Sequence, residues 1–202
     1  MIYSVKNFYL ILKKLQMQFD YKNIDGWFDF ELLYEEMVKT AQDGDIFVEI
    51  GIWLGKSTIF LANEIKNSGK KITFYAVDNF LEPKEKGYEE QYKKYNGEIF
   101  GNFMNNLYIY NVRKYVNIIK DHSVNAAQKF EDCSINFIYI DGGHDYETVF
   151  NDIKVWYPKL KTNGTMAGHD YATHAPGVIK AVNEYFGNMV VKNGNTWISE
   201  KE

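Results

Sequence analysis

Two segments in the second half of the chain place acidic and histidine side chains directly after short apolar runs. The first begins at Asp141 and ends at His144, and the second is the pair His169-Asp170. Carboxylates at neighbouring strand ends suit a hard divalent cation such as Mg²⁺, whereas a histidine ligand favours Mn, Fe or Zn. An imidazole, with an ordinary pKa of about 6.5, can accept a proton near neutral pH. These residue types therefore predict a metal site, acid–base chemistry, or both.

Interpretations without chemistry stay open for the same residues. Asp141 could cap a helix that begins near Asp145, because acidic side chains stabilise helix N-termini. His169 could be a hydrogen-bonded histidine of the core. His174 could line a binding pocket or lie in a solvated loop.

A glycine-bearing turn follows the acidic residue Glu49. Gly51 and Gly55 enclose three residues, and a Lys-Ser pair follows them. A phosphate-binding P-loop needs about four residues there, so the turn is one residue short. A dinucleotide-binding turn needs glycine at the position of Trp53, whose indole would fill the space for the pyrophosphate. Tight packing of strand against helix remains an alternative purpose for the two glycines.

A further acidic residue follows the second apolar run. Asp78 and Asn79 come directly after Thr73–Val77. A carboxylate at the carboxyl end of a neighbouring strand can accept both hydroxyl groups of a ribose. Asp78 is therefore predicted to bind the nucleoside part of a ligand.

Short β-rich runs alternate with segments of helical length from Ile46 onward. Strands so apolar on both faces, with long connections between them, are typical of a parallel sheet covered on both sides. The predicted fold class is α/β with a doubly wound sheet. The predicted strands are Ile46–Ile50, Thr73–Val77, Val116–Lys120, Ile135–Ile140 and Thr165–Ala167.

The N-terminal region has helical rather than alternating character. Apolar residues at helical spacing predict one helix over residues 2–19 and another over Phe30–Thr40. Residues 1–42 are therefore expected to form a helical cap on a single domain, whose main part spans residues 43–202.

Two other segments interrupt the alternation of strands and helices. Met189–Lys192 and Asn195–Ser199 flank Asn193-Gly194, which predicts an antiparallel hairpin with a type I′ turn. Residues 81–97 carry charges that cancel, which favours a solvated loop. A lid is the alternative, because this segment leaves the carboxyl edge of the sheet, where ligands bind in such folds.

The acidic residue Glu49 followed by Gly-x-x-x-Gly resembles the first motif of the class I S-adenosylmethionine-dependent methyltransferases. The later segments Phe137–Glu147 and Leu160–Tyr171 resemble a small-molecule O-methyltransferase branch related to catechol and antibiotic-sugar O-methyltransferases. The resemblance covers about residues 26–199. It implies a Rossmann-like, mostly parallel sheet and S-adenosylmethionine as the methyl donor.

The resemblance also implies roles for individual residues. Acids at the ends of the fourth and fifth strands hold a divalent cation, Mg or Mn, which assigns that role to Asp141, His169 and Asp170. His144, three positions after the first acid, stands where that branch has its base, and Asp141 is catalytic with it. Gly26-Trp27 falls where the family's N-terminal segment covers the cofactor, with packing on the sheet edge as the alternative. The implied cofactor-binding residues are Glu49, Gly51, Ile52, Gly55, Ser57, Asp78, Asn79, Ser123 and Asp141.

The implied reaction is metal-assisted methyl transfer to a hydroxyl of a small acceptor, either a sugar or a phenol-like compound. A second hypothesis is a protein that binds S-adenosylmethionine without transfer and acts through a partner interface. A third is a nucleoside triphosphatase that uses the turn at Gly51, which ATP binding would reveal.

Composition narrows the classes of partner. Among 23 basic and 27 acidic residues Arg113 is the sole arginine, so a nucleic-acid partner is not expected. The single cysteine, Cys133, cannot form an internal disulfide. No run approaches the roughly 18 to 20 apolar residues of a membrane span. A cytoplasmic location without a membrane partner is therefore expected. A homo-oligomer is compatible with the sequence.

Overall fold

A seven-stranded sheet organises the chain in a computed structural model that describes residues 20–82, 88–187 and 189–202. The helix predicted over residues 2–19 lies outside the described residues. The strands are β1 (Ile46–Ile50), β2 (Thr73–Asp78), β3 (Asn117–Lys120), β4 (Ile135–Ile140), β5 (Leu160–Gly168), β6 (Val191–Asn193) and β7 (Thr196–Glu200).

The strand order is β3-β2-β1-β4-β5-β7-β6. β1 to β5 are parallel, whereas β7 runs antiparallel to both β5 and β6. The first strand, β1, lies in the middle of the sheet. The chain then proceeds to one edge through β2 and β3 and returns beside β1 at β4. The predicted fold class, doubly wound and Rossmann-like with an antiparallel C-terminal pair, is confirmed.

β5 is longer than its apolar run predicted. It begins at Leu160, which pairs with Ile135 before the register shifts, rather than at Thr165. Leu160 is fully buried, but the polar residues 161–163 separate it from the apolar run. The pattern of apolar residues therefore predicted only the C-terminal part of the strand.

The predicted type I′ turn is wrong. Asn193 pairs with Thr196, so the two turn residues are Gly194 and Asn195. Gly194 has a φ of +62°, whereas Asn195 is not among the residues with positive φ. A type I′ turn needs positive φ at both positions, and glycine at the first position alone is typical of type II′.

Seven α-helices lie among the described residues. Phe30 is the cap residue of the first, which therefore begins one residue later than predicted. The segment 81–97, predicted as a loop, contains a short helix whose acidic first turn and basic last turn match the helix dipole. The helices are α1 (Glu31–Thr40), α2 (Lys56–Ser68), α3 (Glu89–Lys94), α4 (Ile99–Ile109), α5 (Ser123–Ala127), α6 (Tyr146–Trp156) and α7 (Pro176–Phe186).

Two apolar layers enclose the sheet. One contains Tyr34 of α1, Ile59 of α2 and Phe103 of α4, and the other contains Trp156 of α6 and Val178 of α7. Because both faces of the sheet are covered, polar side chains gather at the ends of the strands. None of the helices in the described residues is long and apolar enough to cross a membrane.

Candidate functional site

The carboxyl ends of four parallel strands meet at one place. Ile50 of β1 pairs with Val77 of β2 and Ile140 of β4, and Ile140 pairs with Gly168 of β5. The backbone amide of Asp141 donates to the carbonyl of Ile50 at 2.7 Å. This place lies between β1 and β4, where the strand order reverses and where doubly wound folds bind ligands.

The two glycines of the turn after β1 are required by the protein's own packing. Gly51 has a φ of +86°, and a Cβ there would lie 1.9 Å from the carbonyl oxygen of Asp141. Gly55 has a φ of +83°, and its Cβ would lie 2.6 Å from the ring of Phe103. The packing alternative therefore accounts for both residues, whatever else the turn binds.

Glu49 lies beneath this turn and is 1% exposed. Its carboxylate accepts hydrogen bonds from the hydroxyls of Tyr34 at 2.9 Å and Thr58 at 2.6 Å, and from Ser57. Burial raises its pKa to about 7, although these hydrogen bonds oppose the shift. Glu49 and Ser57, both predicted to bind a cofactor, therefore face each other under the turn.

Asp78 connects β2 to the glycine turn. Its Oδ2 accepts from the amides of Ile52 at 2.7 Å and Trp53 at 3.2 Å, and its Oδ1 accepts from the amide of Phe80 at 2.6 Å. A carboxylate has about four lone-pair directions, so three backbone donors leave it room for one further donor. Asn79 lies beside it at the same strand end.

Ser123 is held by interior side chains. Its hydroxyl accepts from the indole N–H of Trp156 at 2.8 Å and hydrogen-bonds the buried carboxyl of Asp152. Burial raises the pKa of Asp152 to about 6. Ser123, predicted to contact the cofactor, thus anchors the start of α5 against α6.

Asp141, His144 and Asp170 each offer a ligand atom within 4.8 Å of the others. His144 Nε2 lies 2.9 Å from Asp170 Oδ2. Asp145, not Asp141, caps α6, because its carboxylate accepts from the amide of Thr148 at 3.0 Å. The capping alternative for Asp141 is therefore wrong.

Three imidazoles converge on Asp170. Besides His144, His169 Nδ1 lies 3.3 Å from its Oδ2, and His174 Nε2 lies 2.8 Å from its Oδ1. Burial disfavours the charged carboxylate, but the hydrogen bonds from these histidines outweigh burial and hold the pKa of Asp170 well below its usual range. Asp170 is therefore the fixed negative charge of the site.

His169 is 9% exposed and is hydrogen-bonded on both sides, as the core-histidine alternative supposed. Its Nε2 donates to Asp29 Oδ1 at 2.8 Å, while Nδ1 faces Asp170 and lies 3.8 Å from Asp141 Oδ1. Burial lowers the pKa of His169, but its hydrogen bond to Asp170 and the nearby acids outweigh this effect and raise it to about 9.

Asp141 is the second carboxyl group of the site. Burial raises its pKa to about 6, with a further upward contribution from Asp170, whereas the charges of His169 and His144 oppose the rise. Two carboxylates and two imidazoles at one strand edge can bind a divalent cation or move a proton.

Three side chains at or near the site were not predicted as site residues. Asp29 pairs with a histidine 140 residues away in the chain, and no local pattern indicates such a pair. Trp53 was expected only to fill the space that a dinucleotide's pyrophosphate would need. Tyr88, whose ring lies 6.4 Å from that of His144, belongs to the segment predicted as a loop.

A family model described as a methyltransferase domain matches residues 48–171. The matched segment includes the glycine turn, Asp78, Asp141 and Asp170. Among curated proteins, the uncharacterized protein y4gI of Sinorhizobium fredii is 25% identical over 125 residues, which make up 61% of this chain and 13% of that protein. The match thus spans only a small part of that relative's length.

Solved structures share the fold at low sequence identity. The O-methyltransferase NovP is 18% identical, with a TM-score of 0.65 over 85% of this chain and 77% of its own. The SAM-dependent O-methyltransferase from Thermotoga maritima is 14% identical, with a TM-score of 0.60 over 89% and 68%. SMU.1697c from Streptococcus mutans, solved in complex with SAH, is 16% identical, with a TM-score of 0.60 over 88% and 100%.

Proposed function

We propose that this chain, which belongs to the family of methyltransferase domains, is an S-adenosylmethionine-dependent methyltransferase that methylates a hydroxyl oxygen of a small acceptor with the help of a divalent cation. The observation that carries the proposal is the grouping of Asp141, His144 and Asp170 within 4.8 Å, beside the glycine turn. Two of the similar solved structures are described as O-methyltransferases, which supports the choice of oxygen.

The proposed site for the methyl donor lies at the ends of β1 and β2. Asp78 has capacity for one ribose hydroxyl, and Asn79 and the backbone of the turn at Ile52 adjoin it. Glu49, Gly51, Gly55, Ser57 and Ser123 support this site by fixing the turn and α5. Asp141 borders it from β4.

The residues around Asp170 fit a divalent cation by charge and donor type. We assign Asp141, Asp170 and the Nδ1 of His169 as ligands of Mg²⁺ or Mn²⁺. When bound, such an ion polarises the acceptor hydroxyl and orients it. Because a histidine ligand must be neutral, cation affinity is expected to rise with pH.

His144 is the proposed base. Its Nε2 lies 2.9 Å from Asp170 Oδ2, and the imidazole would accept the proton of the acceptor hydroxyl. Asp170 then stabilises the imidazolium, as the acid of a catalytic triad does. The acceptor oxygen bonds to the methyl carbon as the carbon–sulfur bond breaks in line, and this geometry demands close alignment.

The test is transfer of a labelled methyl group to hydroxylated small molecules, with and without exhaustive EDTA treatment. We expect transfer that stops on chelation and returns with Mg²⁺ or Mn²⁺. Activity that survives chelation would remove the cation from the proposal. Tight S-adenosylmethionine binding without transfer to any hydroxyl would favour a protein that only binds this compound.

A further inference from the structure

The segment of chain just before α1 crosses the carboxyl edge of the sheet and is held there at several points. We call residues 25–30 the strap. The side chain of Asp25 pairs with that of Lys94 in α3. The carbonyl oxygen of Gly26 accepts a hydrogen bond from Lys56 Nζ at 3.0 Å. The strap therefore brings side chains to the site from outside the parallel strands.

Two consecutive residues of the strap contact His169. The ring of Phe30 is buried, lies 5.3 Å from the imidazole and stacks on Tyr139 at 4.2 Å, between centroids. Asp29 Oδ1 lies 2.8 Å from His169 Nε2. The aromatic contact and the hydrogen bond together fix the plane of the imidazole.

The hydrogen bond to Asp29 also selects the nitrogen of a neutral His169 that carries the hydrogen. An ionised carboxylate can only accept, so Nε2 must donate and the lone pair lies on Nδ1. Nδ1 lies 3.3 Å from Asp170 Oδ2 and 3.8 Å from Asp141 Oδ1. The nitrogen with the lone pair is therefore the one that faces both carboxylates.

The side chain of Asp29 is 56% exposed and does not belong to the apolar core. Its second oxygen, Oδ2, lies 3.4 Å from the side-chain nitrogen of Asn195. A substitution at this position removes hydrogen bonds without leaving a cavity in the core. Its effect on the site can therefore be measured in a folded protein.

We propose that Asp29 is a positioning residue of the cation site. It holds His169 so that Nδ1 binds the ion together with the two carboxylates of Asp141 and Asp170. This inference rests on the proposed cation-assisted reaction and adds a residue of the strap to its machinery. Carboxylates that accept from a metal-binding histidine orient the ring and increase its basicity, and their loss typically lowers metal affinity about ten- to a hundredfold.

Titration of the full chain with Mn²⁺, followed by the electron paramagnetic resonance signal of the free ion, tests the inference. Asp29→Ala should bind Mn²⁺ about ten- to a hundredfold more weakly than the wild type. Asp29→Asn keeps an oxygen that can accept from Nε2, so it should lose much less affinity. Equal losses in the two variants would assign the effect to the charge of Asp29 and overturn the inference.

Asp25→Ala is the matched control. It removes another exposed acid of the same strap, one that pairs with a lysine instead of a histidine. Its affinity for Mn²⁺ should equal that of the wild type. A loss as large as that of Asp29→Ala would mean that the placement of the strap matters and the hydrogen bond to His169 does not, which would overturn the inference.

A double-mutant cycle separates positioning from a merely structural role. His169→Asn replaces the imidazole by an amide that can offer an oxygen to the ion and has no Nε2. In this background Asp29→Ala should cause no further loss of Mn²⁺ affinity, because Asp29 acts through His169. A loss as large as in the wild-type background would overturn the inference.

The proposed function and this inference fail in different ways. Mn²⁺ binding that depends on Asp29, without methyl transfer to any hydroxyl, would support the inference and overturn the proposed reaction. Cation-dependent transfer with equal Mn²⁺ affinity in the wild type and Asp29→Ala would support the proposed reaction and overturn the inference. A wild type that binds no Mn²⁺ would overturn both.

Discussion

At the scale of single residues, Asp170 is the carboxylate that contacts three histidines of the site. It has a φ of +57° and receives hydrogen bonds from His144, His169 and His174. A short polar side chain is among the few non-glycine types that adopt this conformation readily. The backbone thereby turns the carboxylate toward three imidazoles, each of which contacts it.

His144→Ala tests the base. General bases contribute about 10² to 10⁴ in rate, so kcat should fall by that range. Because His144 is not among the residues proposed to hold the methyl donor, the affinity for S-adenosylhomocysteine measured by calorimetry should stay nearly unchanged. A variant that keeps a near-wild-type kcat would assign His144 to the entry of α6 without a role in proton transfer.

Asp78→Ala tests the methyl-donor site. The loss of a charge-assisted contact costs about 1.5 to 3 kcal/mol, so S-adenosylhomocysteine should bind about tenfold more weakly or worse. The matched control is Asp132→Ala, which removes an exposed acid that pairs with Lys159 and precedes the amino end of β4, whereas the site lies at the carboxyl ends of the strands. Equal calorimetric affinities for the two variants would remove Asp78 from the site.

At the scale of elements, Glu49 connects three of them. It lies on β1 and accepts hydrogen bonds from Tyr34 of α1 and from Ser57 and Thr58 of α2. The described part of the predicted cap is therefore joined to the glycine turn through a buried carboxyl group. Its ionisation should influence the packing of all three elements.

Glu49→Gln tests this connection through the pH dependence of stability. The folded state raises the pKa of Glu49 from 4.5 to about 7, so it favours the protonated form. This preference adds on the order of 3 kcal/mol to the free energy of unfolding. The contribution is fully present below about pH 4.5 and is lost as pH rises through about 7. In Glu49→Gln, the free energy of unfolding measured with urea should therefore lack this part of the decline between these pH values.

The exposed residue Glu36 supplies the control for this experiment. Glu36→Gln removes an acid from the solvent side of α1, where it pairs with Lys39. Its stability should follow the wild-type curve with pH. If Glu49→Gln shows the same decline as this control, the ionisation of Glu49 is not coupled to folding.

Elements were predictable where the pattern is local. β1 and β4 have the predicted bounds, because buried apolar residues dominate both strands and each strand contains only one polar residue, Glu49 or Asn136. The start of β5 was not predictable, since its pairing with β4 shifts register across polar residues. The hairpin turn moved by one residue because the pairing of Asn193 with Thr196 sets the register.

At the scale of the whole molecule, the parallel sheet explains why the candidate site residues could be predicted to lie at one edge. Parallel strands bring their carboxyl ends to one edge, so acids at the ends of β2, β4 and β5 lie along the same edge. The pairing of Asp29 with His169 could not be foreseen, because it depends on how the chain before α1 crosses that edge. The same holds for Ser123 and Trp156, which meet only when α5 packs on α6.

Ligand binding at this edge should stabilise the whole domain. A ligand at about a hundred times its Kd stabilises the folded state by about 2.7 kcal/mol. For a chain of this size, each kcal/mol raises the Tm by about 2 to 4 °C, so S-adenosylhomocysteine should raise it by about 5 to 11 °C. ATP should produce no rise, because the turn between Gly51 and Gly55 is one residue short of a P-loop. Thermal unfolding of the wild type and of Asp78→Ala at the same ligand concentration provides the measurement, and the variant should lose most of the rise. A rise with ATP alone would instead place a triphosphate at the turn and contradict the methyl-donor site.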